Sequence, residues 1–150
     1  FLINKRYTMI DTIEEALKNF CTHQIREEFE ISNEICKKST FIAYVDIQTA
    51  DNIKYRVYIA YDQNFIQRIS TIFLEEDKSD KATLIDMALE TANMIIGSAK
   101  LISEAQAENP YTMGIPNFEK IGDFDITCQD FKTIKIQNDE LTIAIKEING

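Results

Sequence analysis

The stretch TFIAYVDIQTADNIKYRVYIAY, residues 40–61, consists of two segments rich in β-branched and aromatic residues on either side of TADN. β-Branched and aromatic residues favour strands, whereas Asp and Asn beside small residues favour a tight turn. The segments Thr40–Gln48 and Ile53–Tyr61 are therefore predicted to form a β-hairpin.

A second hairpin is predicted at the end of the sequence. Apolar and polar residues alternate from Phe124 to Ile136 and again from Leu141 to Ile148, and QNDE, residues 137–140, supplies the turn. The two hairpins together predict an antiparallel sheet.

The segments outside the hairpins have helical periodicity. Apolar residues recur at intervals of three and four, which predicts helices over Asp11–Ile31, Asn64–Leu74 and Lys81–Glu108. The last helix is expected to end before Pro110, because proline lacks an amide donor and the residue before it avoids the helical conformation. EEDKSD, residues 75–80, is expected to be an exposed connector, and a loop with Gly114, Pro116 and Gly122 follows the last helix.

Helices and hairpins segregate along the chain, which favours an α+β fold with an antiparallel sheet packed against two long helices. The length of 150 residues, with 45% hydrophobic residues, four glycines and two prolines, predicts one domain over residues 1–150 without long linkers. The residues before Met9 are expected to be a tail or an added segment, or the result of an interior cut, with Met9 as a candidate start.

The formal net charge of -9 excludes several classes of function. Nucleic acids and anionic membranes both require clustered Lys and Arg, and the sequence has no basic stripe. Its apolar runs are too short for a membrane span, so a cytoplasmic protein is expected. Cys21, Cys36 and Cys128 lack the spacing of a zinc site or a disulfide framework, and His23, the single histidine, is expected on a helix surface.

Polar residues of the second long helix share one narrow face. With Asp86 set at zero, steps of 100° place Glu90 at about 40°, Asn93 at about -20° and Gly97 at about 20°. The apolar residues of this helix cover the opposite arc, so the polar set must face outward. Met94 at about 80° and Met87 at about 100° are expected to add adaptable apolar contacts at a protein interface.

An acid pair at i and i+4 is usually only a solvated helix face. Here, however, Asn93 and Gly97 each cost roughly 0.5–1 kcal/mol relative to alanine, and the like charges of Asp86 and Glu90 repel each other. A carboxamide can hold and orient a water molecule, and a carboxylate one turn away can bind a fixed lysine. The pair therefore suits hydrolysis of a phosphoryl group that is activated elsewhere.

The spacing of these residues resembles a family signature. Asp86, Glu90, Asn93 and Pro116 match D/S-x3-E-x2-N-x22-P of the CheC, CheX and FliY phosphatases of bacterial chemotaxis, and ETANMIIGSAK and MGIPNFEKIG are similar to the flanking family segments. The first long helix has Lys18 where the motif requires Asn, and Phe41 where it requires Pro. A chain with one intact motif resembles CheX more than CheC, and the additional flagellar switch domain of FliY has no room here.

The resemblance implies a CheC/CheX-like sandwich and a substrate, the phosphorylated CheY-type response regulator, which carries its own Mg²⁺. It further implies a homodimer that binds no metal or cofactor itself. Asn93 would orient the attacking water and Glu90 would pair with the regulator's lysine. Asp86 is expected to support the helix or touch the rim of the partner, and Pro116 to shape the loop beside the site. Gly97 is expected to allow close packing against the partner or, equally, within the homodimer.

Two other classes of function remain open. A non-catalytic interaction module, similar to the middle domain of FliM, would have no need of Glu90 and Asn93. A free-standing phosphoesterase is disfavoured, because the sequence lacks metal-ligand motifs, nucleophile triads and phosphate-binding glycine loops.

Overall fold

Helices and an antiparallel sheet form two layers in the computed structural model, which describes residues 8–106 and 110–148. Within these residues the helices are α1 (Met9–Phe20), α2 (Gln63–Leu74) and α3 (Lys81–Ala105), and a short π-helical turn, Cys21–Ile25, follows α1. The strands are β1 (Glu30–Ser32), β2 (Thr40–Thr49), β3 (Lys54–Asp62), β4 (Tyr111–Met113), β5 (Asn117–Gly122), β6 (Asp130–Ile136) and β7 (Asp139–Ile148). No helix in the described ranges has the length and hydropathy required to cross a membrane.

The predicted first hairpin is confirmed as β2 and β3, which lie in the middle of the sheet. The strand order is β1-β6-β7-β3-β2-β4, and β5 also pairs with β2, beyond β4 along the same edge. All pairings are antiparallel, as predicted. The turn of the first hairpin contains Asn52 at φ 67°, a left-handed conformation that Asn adopts more readily than most residues.

The two faces of the central strands pack against different parts of the chain. Alternate residues of β2 and β3, among them Val45 and Ile59, join the helices in the main core. The intervening residues, such as Ile42 and Tyr58, belong to a second apolar cluster on the other face. The middle of the sheet therefore has apolar contacts on both faces.

The second hairpin is confirmed, but its first strand is shorter than predicted. It begins at Asp130, whereas residues 124–129 cross the outer face of the sheet without strand structure. Phe124 packs there edge-on against Tyr58, at a ring-centroid distance of 6.0 Å. The alternation in this segment therefore reflects its own apolar contacts, not strand pairing.

The prediction of one helix over Asp11–Ile31 is wrong at its end. The π-helical turn stops at Arg26, which has φ 61° and ψ 41°. Ile31 then pairs with Ile134, because residues after the turn add β1 to the edge of β6. Pairing with β6 satisfies the backbone N–H and C=O groups of β1. Helical periodicity in the sequence does not reveal such pairing with a distant strand.

Within the described residues the helical layer contains three α-helices, so the prediction of two long helices is not confirmed. The predicted helix over residues 64–74 is α2, and it packs against α3 as well as the sheet. Helix α3 ends at Ala105 in the structure, and the predicted end at Glu108 lies outside the described residues. The connector 75–80 is exposed as predicted, except for Ser79, which is buried.

The predicted loop after α3 is also wrong in part, because β4 and β5 lie within it. Both strands pair with β2, whose edge would otherwise be open on that side. The glycines and the proline suggested a loop, but backbone pairing with β2 outweighs that local preference.

Asp62 joins β3, α2 and β7 at one buried point. Its Oδ1 accepts a hydrogen bond from the backbone N–H of Phe65 at 2.7 Å, which caps α2. Its Oδ2 accepts from the backbone N–H of Glu140 at 2.7 Å and from the Lys38 ammonium at 3.2 Å. One carboxylate therefore satisfies donors from three parts of the chain.

Replacing Asp62 with alanine is expected to lower the free energy of unfolding by about 2–4 kcal/mol, because buried N–H donors lose their acceptor. Urea denaturation measures the change. Asp80→Ala is the control, since Asp80 caps only α3 and is exposed. Equal losses for the two variants would contradict the joining role of Asp62.

Candidate functional site

The polar face of α3 is exposed, as the helical geometry predicts. Asp86, Glu90 and Asn93 are all exposed, whereas the apolar residues on the opposite arc are buried. Among the described residues, neither Glu90 nor Asn93 has a hydrogen-bond or ion-pair partner. Their polar ends are therefore available to another molecule.

Small residues fix the position of α3 on the rest of the fold. Ala88, Ala92 and Ala99 are fully buried where α3 packs against α1, α2 and β2. The Tyr61 hydroxyl, on β3, donates a hydrogen bond of 2.9 Å to the backbone carbonyl of Ala88. Close packing and this hydrogen bond restrict rotation of the helix, so Glu90 and Asn93 must face outward.

The two methionines that were predicted to flank the face have different positions. Met94 is 40% exposed, in agreement with the prediction. Met87 is only 4% exposed and lies in the main core, so its predicted place on a partner-binding surface is wrong. The cause is the neighbouring helices, which cover the side of α3 that an isolated helix would expose.

Gly97 is half-buried beside β4. A Cβ atom at this position would lie 3.9 Å from Met113 Sδ, which is an ordinary van der Waals distance. The surface beside Gly97 is therefore partly formed by Met113 of the same chain. This contact places β4 next to α3 at Gly97, which lies one helical turn after Asn93.

Pro116 lies in a bulge between β4 and β5. Ile47 pairs with Met113 and Tyr44 with Asn117, so three residues, 114–116, lie opposite two residues of β2. The backbone N–H of Gly114 donates to the Asp46 carbonyl at 2.8 Å, and Asn117 Nδ2 donates to the Ile115 carbonyl at 3.1 Å. Proline has no donor to contribute to a ladder, and a bulge at a sheet edge is a place that tolerates it.

A cluster that sequence reasoning missed lies elsewhere in the fold. Ligand atoms of Cys36, Asp62 and Glu140 lie within 4.8 Å of one another, a spacing that a metal ion could use. In the structure these groups have protein partners: the Cys36 thiol donates to Glu140 Oε2 at 3.3 Å, and the Lys38 ammonium pairs with Asp62. No sequence spacing could have indicated it, because the residues come from separate strands and connectors.

Cys21, Cys36 and Cys128 are free thiols. Burial, together with the nearby Glu140 carboxylate, raises the pKa of Cys36 to about 11, and burial raises the pKa of Cys21 to about 12. Both therefore stay protonated near neutral pH and are poor nucleophiles. His23 is exposed within the π-helical turn, in agreement with its predicted place on a helix surface.

Comparison with solved structures shows the same fold in several chemotaxis proteins. CheX from Vibrio vulnificus has a TM-score of 0.77 and 18% identity, over 96% of this chain and 100% of that chain. CheX from Desulfovibrio desulfuricans has a TM-score of 0.69 and 16% identity, over 93% and 99%. The CheX–CheY–BeF3–Mg²⁺ complex from Borrelia burgdorferi matches with a TM-score of 0.67 and 15% identity, over 95% and 100%.

Comparison with curated protein sequences gives no match. The model of the family described as chemotaxis phosphatase CheX does match, over residues 43–138, which include α3 and the β4–β5 bulge. The family resemblance expected from the motif is thus confirmed over more than half of the sequence. The chain belongs to the CheX family of chemotaxis phosphatases.

Proposed function

We propose that this protein hydrolyses the phosphoaspartate of a CheY-type response regulator. The observation that carries the proposal is the joint exposure of Glu90 and Asn93 on one rigid helix, where neither has a partner among the described residues. The family membership supports it, and a relative of the same fold has been solved in complex with CheY.

Asn93 is proposed to orient the attacking water. Its amide oxygen accepts a hydrogen bond from the water, and its amide nitrogen is free to donate to a phosphoryl oxygen. The water attacks phosphorus in line with the Asp–O–P bond, which breaks to give inorganic phosphate and the free aspartate of the regulator. Catalysis of this kind depends on positioning and charge, so the helix needs no nucleophile of its own.

Glu90 is proposed to fix the docking geometry. Its carboxylate lies one turn before Asn93 on the same face, and it would pair with a lysine beside the regulator's phosphoaspartate. The ion pair would hold Asn93 at the correct distance from phosphorus. Because it forms on binding, it contributes to both the ground state and the transition state.

The other residues of the face have supporting roles in this proposal. Met94 contributes an apolar contact, Asp86 lies at the rim, and Pro116 shapes the adjoining bulge. The chain is proposed to bind no cofactor or metal itself, so that Mg²⁺ enters with the regulator. We also propose that the protein acts in the cytoplasm as a homodimer, which light scattering after size exclusion would test.

Asn93→Ala is expected to abolish accelerated dephosphorylation while leaving the fold intact, because Asn93 is exposed. Phosphate release from CheY-type regulators phosphorylated with acetyl phosphate measures the rate. Asn19→Ala is a matched control, since Asn19 is exposed on α1 and lies outside the motif. An unchanged rate for Asn93→Ala would contradict the water-orienting role of Asn93, whereas a wild-type protein that does not accelerate dephosphorylation would favour the non-catalytic interaction module.

Glu90→Ala is expected to weaken binding as well as the rate, because a docking ion pair acts before and during the reaction. Affinity for the beryllofluoride-activated regulator and the dephosphorylation rate are measured in parallel. Wild-type affinity in this variant would contradict a docking role for Glu90.

Gly97→Ala is expected to raise the free energy of unfolding by about 0.5–1 kcal/mol, since glycine disfavours helix interiors. The new Cβ meets only ordinary contact with Met113, so the fold should accept it. Regulator binding is expected to weaken, because the methyl group projects from the face that carries Asn93. Stabilisation with unchanged affinity would show that the partner does not pack against Gly97.

A further inference from the structure

Ile115 is the most exposed large apolar residue among those that the structure describes. Its side chain is 77% exposed, compared with 64% for Leu101 and 40% for Met94. Isolated exposed apolar residues are common on proteins. Ile115 differs because it is displayed from an anchored bulge beside the polar face of α3.

The bulge holds Ile115 from both sides. The residue before it is tied to β2 by the hydrogen bond from Gly114 to the Asp46 carbonyl, and its own carbonyl accepts from the Asn117 side chain. Pro116, which follows directly, has a restricted φ angle. Isoleucine is also stiff at χ1. An apolar side chain held in this way loses little conformational entropy on binding, as an interface anchor requires.

The bulge is continuous with the proposed catalytic face. Helix α3 packs against both β4 and β5, and Gly97 adjoins Met113, two residues before Ile115. A stable interface covers about 800 Å² on each partner, which is wider than the exposed side of one helix. A regulator centred on Glu90 and Asn93 would therefore extend over the neighbouring bulge.

We propose that Ile115 is an apolar anchor that inserts into a hydrophobic recess of the response regulator beside its phosphoaspartate site. The proposal rests on the proposed function, because Glu90 and Asn93 define where the regulator sits. The polar residues provide the chemistry and the ion pair, whereas Ile115 provides affinity and selects regulators that offer a matching recess. Bulges next to active sites commonly re-aim a side chain in this manner.

The test uses the full chain and a regulator that it dephosphorylates. Ile115→Ala is expected to raise the dissociation constant for the beryllofluoride-activated regulator about 5- to 30-fold, the range of a buried interface anchor. Ile115→Asp is expected to weaken binding further. The rate at saturating concentration should stay at the wild-type value in Ile115→Ala, because the residue does not contact the reacting atoms.

Ile31→Ala is the matched control. Ile31 is 38% exposed on β1, at the opposite end of the sheet from β4, and its replacement should leave affinity and rate unchanged. Circular dichroism and urea denaturation check that the variants are folded. The Ile115 variants are expected to fold normally, because this side chain is exposed.

The outcomes separate this inference from the proposed function. If wild-type protein accelerates dephosphorylation and Asn93→Ala does not, but both Ile115 variants bind normally, the anchor is overturned and the function stands. If the wild type fails to accelerate dephosphorylation of any CheY-type regulator, both the anchor role of Ile115 and the proposed function are overturned. If Ile115→Ala changes only the oligomeric state, the occupant is a second copy of this chain and the proposal is overturned.

Discussion

The close packing of α3 on the sheet is the constraint on which the candidate site depends. The residues of α3 that meet α1, α2 and β2 include small, fully buried alanines, so the helix can lie close to its neighbours. The Tyr61 hydroxyl adds a directional bond to the Ala88 carbonyl, two residues before Glu90. Rotating the helix would bury carboxylates without partners and expose Ile95 and Ile96, which is energetically prohibitive. The orientation of Glu90 and Asn93 is thus a consequence of core packing.

The edge of the sheet supplies the second part of the surface. Strands β4 and β5 pair with β2 on either side of a three-residue bulge. Pro116 lies in this bulge, where no backbone N–H is required for strand pairing. A regular strand would have placed these residues in continuous register. The bulge instead presents Ile115 to solvent beside α3. The proposed mechanism therefore assigns chemistry and recognition to different elements: the polar groups come from the helix, and the apolar contact comes from the sheet edge.

Much of the fold follows from local pattern. The β2–β3 hairpin, α2 and the start of α3 lie where periodicity and turn residues predict them. The failures share one cause, which is pairing or packing with distant residues. Ile31 joins a strand because β6 offers an edge, and residues 111–113 and 117–122 become strands because β2 does. Met87 is buried because neighbouring helices cover the side of α3 on which it lies.

The sequence by itself determined the spacing of Asp86, Glu90 and Asn93 and hence their common face, because helical geometry relates residues that are close along the chain. It also determined the family, through a motif that ends at Pro116. Only the tertiary structure decided that Met87 is core, that Gly97 adjoins Met113 and that Ile115 lies exposed on a bulge. These properties depend on which distant segments meet, and short-range periodicity carries no information about such contacts. The same limit applies to Cys36, Asp62 and Glu140, which only the folded sheet brings together.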